Sequence, residues 1–205
     1  MRLFVSPRSP FVREVLISVC ELGLQGSVEL VPVVVRMDQP NDGVMAVNPL
    51  GKIPALVMAD GTAICGSLPI IDALDGLAGG TLLPTDRAGR RWHLRHHGLS
   101  HGLLDILVLW RNEREKPVPQ QTPAWLANFG IKTAATLDAI ERSIPEMTGV
   151  GFGLAHVSLA ALTVYLDFRF AALDWRTGRP LLSKWTAITV DRASVRAAAG
   201  LCAAM

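Results

Sequence analysis

The chain has 205 residues, of which half are apolar and 19% are charged, and this composition excludes a disordered protein. The net charge is +2 and no basic run stands out, so we expect neither nucleic acid nor an anionic membrane as a partner. The three cysteines have neither C-x-x-C nor metal spacing, and the first residues, MRLFVSPRSP, do not form a secretory signal. Both features predict a cytoplasmic protein with reduced thiols.

The first 47 residues predict a strand, a helix and a second strand. Residues 1–5 are apolar and read as a strand. A helix then runs from Phe11 to Leu22, with Ser9 as its N-cap and Pro10 at its first position. The second strand covers residues 28–35, and Pro32 predicts that it lies at a sheet edge. Residues 36–47 form a polar connection with room for one short helical turn.

The most informative stretch is NPLGKIPALVMADGTAICGSLPII, from Asn48 to Ile71. Proline fixes φ and glycine permits positive φ, so this stretch combines two turn signals with two short apolar runs. It predicts a turn at 48–51, a strand at 55–58, an Asp60-Gly61 hairpin turn, a returning strand at 62–65, and a helix that Gly66-Ser67 opens and that ends near Leu77.

The rest of the chain predicts helices alone. A linker at 79–86 separates domain 1–78 from an all-helical domain at 87–205, and the helices cover about 87–114, 123–144, 154–170 and 180–199. The segment 147–166 carries no Asp, Glu, Lys or Arg and approaches the length of a membrane span. Its glycines, threonines, serine and histidine favour a buried helix instead.

This order of elements resembles the glutathione S-transferase family, whose motif N-P-x-G-x-[IV]-P is matched by residues Asn48 to Pro54. The tail phrases YLDFRFAALDWRTGRP and LLSKWTAI also resemble bacterial members, so the likeness spans essentially the whole chain. It implies an α/β N-terminal thioredoxin-like domain followed by an all-α C-terminal helical domain. It also implies a homodimer, with glutathione as co-substrate.

The resemblance assigns a glutathione site to the first domain. Ile53, before a cis bond to Pro54, would pair through its backbone with the cysteine part of glutathione, and Ser67 would hold the γ-glutamyl carboxylate. Helix N-terminal N–H groups together with a hydroxyl make a carboxylate site on physical grounds alone. Lys52 either reaches the glycyl carboxylate or is solvated. Gly66 stands where the family usually has Glu or Asp, which predicts weaker or altered glutathione binding.

The catalytic donor in this family stabilises the glutathione thiolate from the start of the first helix. The only tyrosine is Tyr165, far along the chain, so Ser9 and Ser6 are the candidates, and the N-cap position favours Ser9. Phe11 belongs to Ser9-Pro10-Phe11, which matches the Cys-Pro-Phe position of related folds. Arg13, one turn on, faces either the site or solvent. A serine in place of cysteine argues against thiol transfer through a mixed disulfide.

Five histidines raise the question of a metal site, which we do not expect. His93, His97 and His101 are spaced i,i+4 in WHLRHHGLSHGLLD, yet helix surfaces carry such histidines without metal more often. In the second domain, His156 stands where the family has an acidic helix-capping residue, which predicts a lost cap and a cost of about 1 kcal/mol. Apolar residues that either line an electrophile pocket or pack in the core are Leu103, Leu104, Leu107, Val108 and Trp110.

The resulting hypothesis is a glutathione transferase that conjugates the glutathione thiolate to a small apolar electrophile, with a detoxification role. The alternative is a non-catalytic binding or interaction module on the same fold, which Gly66 favours and which Ile53-Pro54 and Ser67 disfavour. Isomerase or dehalogenase use of glutathione would share the site and differ only in the pocket.

Overall fold

A four-stranded sheet lies at the centre of the first part of the chain in a computed structural model that describes residues 1–205. Its strands are β1 (Arg2–Val5), β2 (Glu29–Pro32), β3 (Ala55–Val57) and β4 (Ala63–Cys65), in the spatial order β2-β1-β3-β4. β1 pairs in parallel with β2, and β3 is antiparallel to β1 and β4. The predicted strand–helix–strand and hairpin order is confirmed, and β2, which contains Pro32, is an edge strand as expected.

Eight α-helices accompany the sheet. They are α1 (Pro10–Glu21), α2 (Asp42–Met45), α3 (Ser67–Ala78), α4 (Arg87–Arg114), α5 (Pro123–Thr148), α6 (Leu154–Arg169), α7 (Pro180–Thr189) and α8 (Ala193–Ala203). The chain divides into two units by packing. Unit 1 contains residues 1–90 and 191–205, and unit 2 contains residues 91–190.

In unit 1, α1 packs against both α3 and α8. The hydrophobic core includes Leu3 and Val5 of β1, Val15 and Leu16 of α1, and Leu74 of α3, all fully buried. α8 therefore packs in the unit that begins the chain, although it follows the helices of unit 2 in sequence. Sequence order alone groups residues 191–205 with the other helices.

The predicted helix at 180–199 is two helices, and this prediction was wrong. The chain leaves helical geometry after Thr189 and re-enters it at Ala193, with Arg192 extended at φ −60° and ψ 136°. The Arg192 guanidinium makes two hydrogen bonds to the Glu21 carboxylate at the end of α1. This long-range ion pair sits at the break, and no local glycine or proline marks it.

A second difference lies at Pro145, where the sequence predicts the end of a helix. α5 continues through Pro145 to Thr148. Ile144 and Met147, on either side of the proline, are both buried, so packing of this last turn offsets the hydrogen bond that proline cannot donate.

α6 is the most buried helix of unit 2. Nearly all of its residues are buried, including Leu159 and Leu162, which confirms the expected buried helix. None of the helices combines the length and the apolar character that crossing a bilayer requires.

The segment predicted as a linker is held by one carboxylate. Asp75, near the end of α3, is 3% exposed and accepts hydrogen bonds from the backbone N–H groups of Thr81, Leu82 and Leu83 at 2.7, 2.8 and 2.9 Å. Leu82 and Leu83 are themselves buried. Residues 81–83 are therefore part of the packed structure of unit 1.

Candidate functional site

The start of α1 places Ser9 as its N-cap, as the sequence predicts. Ser9 has extended backbone angles, φ −85° and ψ 121°, and its Oγ accepts a hydrogen bond from the Val12 N–H at 3.3 Å. Because Oγ is the acceptor in this hydrogen bond, the bond does not use the hydroxyl proton of Ser9. Ser6 lies three residues earlier, its carbonyl accepts from the Ser9 N–H at 3.1 Å, and both serines are half-buried.

Phe11 and Arg13 follow on the same helix, and both are half-buried. The Arg13 guanidinium makes a long contact of 3.5 Å with the carbonyl oxygen of Pro7, in the loop before the helix. Arg13 therefore lies over the loop that carries Ser6 and Ser9.

The turn before β3 is built by Asn48, whose side chain is 2% exposed. Its Nδ2 donates to the Lys52 carbonyl at 2.8 Å and its Oδ1 accepts from the Leu50 N–H at 3.1 Å. Gly51 completes the turn at φ +62°, a conformation that favours glycine. One amide side chain thus fixes the shape of the whole Asn48–Lys52 turn.

Ile53 and Pro54 follow this turn, and the bond between them is cis, as the family resemblance implies. Ile53 lies outside the paired residues of β3 and packs against a small core cluster of Phe4, Val44 and Ala55. The Lys52 side chain is exposed. An open surface pocket of about 320 Å³ lies directly before Lys52, lined by residues 36–40, Met45 and residues 49–51.

Gly66 and Ser67 lie where β4 passes into α3. Gly66 is the residue before the helix, at φ +91° and ψ 146°, and no side chain caps the first turn of α3. The first two helical residues, Ser67 and Leu68, have backbone N–H groups, whereas the third, Pro69, has none. Two N–H groups at this helix start therefore lack a capping side chain.

Ser67 is 3% exposed and its hydroxyl donates a hydrogen bond of 2.6 Å to Oε2 of Glu14. Glu14 lies on α1, one turn beyond Ser9, and is fully buried. The contact brings the start of α3 next to the first turns of α1, so the predicted residues of both helices belong to one region of unit 1.

Sequence reasoning did not identify Glu14. One signal was available, because Glu14 directly precedes the mostly apolar run VLISVC and is the only charged residue between Arg13 and Glu21. A single acid in an apolar helical stretch is a candidate for a buried, partnered carboxylate.

In unit 2, two histidines accept hydrogen bonds from backbone N–H groups at the N-terminus of α6. His156 Nδ1 accepts from the Gly153 N–H at 3.1 Å, and its Nε2 lies 2.9 Å from the Met147 carbonyl oxygen. His93 Nδ1 accepts from the Ala155 N–H at 3.3 Å. The predicted loss of a cap was therefore wrong, because imidazole nitrogens accept from two N–H groups at this helix start.

Two further histidines of α4 are buried. His97 Nδ1 lies 2.6 Å from the Ser158 hydroxyl on α6, and His96 Nε2 lies 3.7 Å from a Glu146 carboxylate oxygen. Burial, followed by the neighbouring His156 and His96, lowers the pKa of His93 to about 4. His93 and His97, one of the i,i+4 pairs, both direct Nδ1 to partners on α6.

The residues expected to line an electrophile pocket fall into two groups. Leu103, Leu104 and Leu107 are at most 1% exposed, which places them in the core. Val108 and Trp110 are half-buried, and the Trp110 ring stacks on Phe129 with centroids 6.4 Å apart.

Comparison with known proteins shows the same family along both parts of the chain. The glutathione S-transferase N-terminal domain family matches residues 3–82, and the C-terminal domain family matches residues 123–187. Among curated proteins, the uncharacterized GST-like protein YibF of Escherichia coli K12 is 29% identical over 90% of this chain and 91% of its own length.

Solved structures that resemble this chain belong to the same family. A glutathione transferase family member from Pseudomonas fluorescens Pf-5 with bound glutathione is 33% identical, with a TM-score of 0.93, over 96% of this chain and 97% of that protein. A glutathione S-transferase from Methylobacterium radiotolerans in complex with glutathione sulfonate is 30% identical, with a TM-score of 0.87, over 97% and 93% of the two chains. With a thioredoxin-like first part, a helical second part and these similarities over nearly its full length, the chain belongs to the glutathione S-transferase family.

Proposed function

We propose that the protein is a glutathione transferase that joins glutathione to a small apolar electrophile. The thiolate sulfur attacks an electrophilic carbon, a C–S bond forms, and the leaving group departs with the electrons of its own bond. The relative with bound glutathione and the relative with bound glutathione sulfonate support glutathione as the co-substrate. Ser9 is the thiolate donor in this proposal, Ile53 the backbone anchor, and Ser67 part of the subsite for the γ-glutamyl end.

The observation that carries the proposal is the position of the Ser9 hydroxyl at the N-cap of α1. A thiol has a pKa near 8.5, one hydrogen bond to a charged group contributes about 1.5–3 kcal/mol, and one pKa unit equals about 1.4 kcal/mol. A Ser9 hydrogen bond would therefore lower the thiol pKa by roughly one to two units. The helix N-terminus adds about 0.3–1 kcal/mol in the same direction. The sum gives a substantial thiolate fraction at neutral pH.

The test is a titration of bound glutathione, followed by the ultraviolet absorbance of the thiolate. We expect Ser9→Ala to raise the pKa of the bound thiol by one to two units, and to slow conjugation to a nitro-activated aryl chloride at neutral pH. Ser6→Ala is the matched control and should leave both unchanged. Since Ser9→Ala also removes a helix cap, its unfolding free energy is measured alongside. If Ser6→Ala raised the thiol pKa and slowed conjugation while Ser9→Ala left both unchanged, Ser6 would be the thiolate donor instead.

A non-catalytic binding module is the second candidate, and Gly66 favours it because the usual acid is missing there. Calorimetry with glutathione separates the two. Micromolar to low-millimolar binding by the wild type that weakens in Ser67→Ala supports the transferase, whereas no binding at several millimolar supports the module.

The proposal includes a cytoplasmic homodimer. All three cysteines are free thiols, which suits a reducing compartment. Light scattering of the purified chain tests the dimer, and a monomer mass over the micromolar range would exclude it.

A further inference from the structure

We propose that unit 2 binds a small oxyanion, a phosphate or a carboxylate group, through Arg111 near the end of α4 and Arg169 at the end of α6. Every residue of this site belongs to unit 2, and the inference does not rest on the proposed function. Two observations carry it. Positive charge exceeds negative charge around these arginines, and each of the two has a buried nitrogen atom without a hydrogen-bond partner.

The arginines gather around Tyr165, which is 4% exposed and is the only tyrosine of the chain. Burial is the main cause that raises the pKa of the Tyr165 phenol, and the charge of Glu115 adds to the rise. The charges of Arg111, Arg169 and Arg114 act in the opposite direction. Three cations and one acid therefore lie close enough to one phenol to influence it.

The acids in this region do not balance the arginines. Glu115 lies 3.7 Å from Arg111, measured from Oε2 to Nη1, and 53% of the Glu115 side chain is exposed. Glu113 and Asp167, the other acids beside these arginines in the sequence, accept hydrogen bonds from other residues. Two positive charges of the cluster therefore lack a carboxylate partner.

The donors without partners are the Nε atoms of Arg111 and Arg169, and both atoms are buried. Buried N–H groups are nearly always hydrogen-bonded, because an unmade bond destabilises the protein. A guanidinium group binds the oxygens of a carboxylate or a phosphate through two parallel N–H groups. Both side chains are half-buried, so a ligand can reach their outer nitrogen atoms. A rotation of the guanidinium group would bring Nε into the same contact.

A structural role accounts for Arg114 but not for Arg169. Arginines at the end of a helix stabilise its last carbonyl groups. Arg114 does so, because it donates a hydrogen bond to the carbonyl oxygen of Arg169. The guanidinium group of Arg169 lies over the ring of Phe168, 4.3 Å from its centroid, and that ring is 53% exposed. Arg169 is therefore the arginine of the cluster that is most available to a ligand.

An NMR titration of the full-length protein tests the inference. Tyr165 is labelled at Cζ and gives one signal, because the chain has no other tyrosine. Inorganic phosphate is added at constant ionic strength, with chloride as the balancing anion. We expect a saturable shift of the signal at low-millimolar phosphate. Arg169→Gln should weaken binding about tenfold or more, because a charged hydrogen-bond donor is lost.

Two further variants separate a ligand site from a structural cluster. Glu115→Gln should tighten phosphate binding several-fold, because the neutral amide no longer competes for Arg111. Arg176→Gln is the matched control, since Arg176 also lies over an aromatic ring but pairs with Asp167. It should leave the affinity unchanged. Equal affinities of the wild type and Arg169→Gln would overturn the inference. If Arg169→Gln does not fold, an unchanged affinity in Glu115→Gln overturns it.

The same titration with acetate and with benzoate identifies the source of the oxyanion. Tightest binding of benzoate would assign the site to the carboxylate of an organic acid, whose apolar part can lie on the exposed ring of Phe168. Tightest binding of phosphate would assign it to a phosphate group. Either result supports the oxyanion site, whereas no saturable shift with any of the three anions would overturn it.

Discussion

Gly66 occupies a backbone conformation that is nearly closed to other residues. At φ +91° and ψ 146° a side chain is strained, although a Cβ would find only ordinary contact with Pro69 Cδ at 3.5 Å. The constraint is therefore conformational and does not come from crowding. An acidic residue at this position would incur the same strain. Glycine avoids that backbone strain, but it lacks the carboxylate.

A pair of glycine substitutions in and beside α3 checks this argument. We expect Gly66→Ala to lower the free energy of unfolding by about 1–3 kcal/mol, because that region is disfavoured for residues with a Cβ. Gly76, within α3, has open space around it and no positive φ, so Gly76→Ala should raise the free energy of unfolding by about 0.5–1 kcal/mol. Urea unfolding measures both, and equal signs would contradict the assignment of strain to Gly66.

At the scale of elements, the N-terminus of α6 depends on neutral imidazoles. His93 can accept from the Ala155 N–H only when Nδ1 is unprotonated. Burial lowers the pKa of His93 to about 4, and burial is also the main cause that lowers the pKa of His96, with Arg95 acting in the same direction. A histidine in the unfolded chain has a pKa near 6.5. As the pH falls, the unfolded state therefore binds protons at a higher pH than the folded state does.

The cap of α6 should therefore weaken in mild acid. The contribution of His93 is complete above pH 6.5 and is lost as the pH falls from 6.5 towards 4, by roughly 3 kcal/mol in total. Glutamine at this position can still accept through its Oε1 and does not titrate. Urea unfolding at pH 7.5, 6 and 5 should show a smaller loss of stability for His93→Gln than for the wild type. Equal losses of stability in the wild type and in His93→Gln would show that His93 does not contribute to the pH dependence.

The end of α3 offers a second element-scale prediction. Asp75→Ala leaves three backbone N–H groups without their carboxylate acceptor, two of them on buried leucines. We expect a loss of about 3 kcal/mol or more in the free energy of unfolding. Asp72→Ala is the control, because Asp72 is exposed and pairs only with the exposed Arg90, and it should cost less than 1 kcal/mol. Similar losses in the two variants would show that Asp75 does not hold the segment.

The helices, strands and turns could be predicted from the sequence wherever residues close together in the chain determine them. Ser9-Pro10 marks the start of α1, Asp60-Gly61 marks the hairpin, and the motif from Asn48 to Pro54 identifies the turn and the cis bond. The differences arose from long-range contacts. The break before α8 coincides with the Glu21 ion pair, and Ser67 was identified without Glu14, which comes from 53 residues earlier in the chain.

At the scale of the whole molecule, the chain begins unit 1, builds unit 2, and returns to unit 1 with α8. The return is fixed by packing of α8 on α1 and by the Arg192–Glu21 ion pair. Burial raises the pKa of the Glu21 carboxyl, but the hydrogen bonds it accepts and the charge of Arg192 outweigh that effect and hold the pKa below its usual value. The pair therefore stabilises the return above the carboxyl pKa and loses its effect as the carboxyl is protonated in acid.

Charge reversal tests this connection. Glu21→Arg and Arg192→Glu each place like charges together and should each lower the free energy of unfolding by about 1 kcal/mol, because the pair is partly exposed. The double variant restores opposite charges and should regain most of the loss, as measured in a double-mutant cycle by urea unfolding. Asp38→Ala, which breaks the exposed local pair with Arg36, should have almost no effect. Additive losses in the double variant would show that the two side chains do not interact.

The return of α8 also constrains the timing of biosynthesis. Domains generally fold as units while the chain is being made, beginning with the N-terminal one. Here residues 193–203 emerge from the ribosome after all of residues 91–190, yet α1 needs them to cover its surface. The nascent first unit must therefore wait, with one helix face uncovered, until the second unit has been synthesised. A translational pause anywhere in residues 91–190 would prolong that exposure and the demand for chaperones.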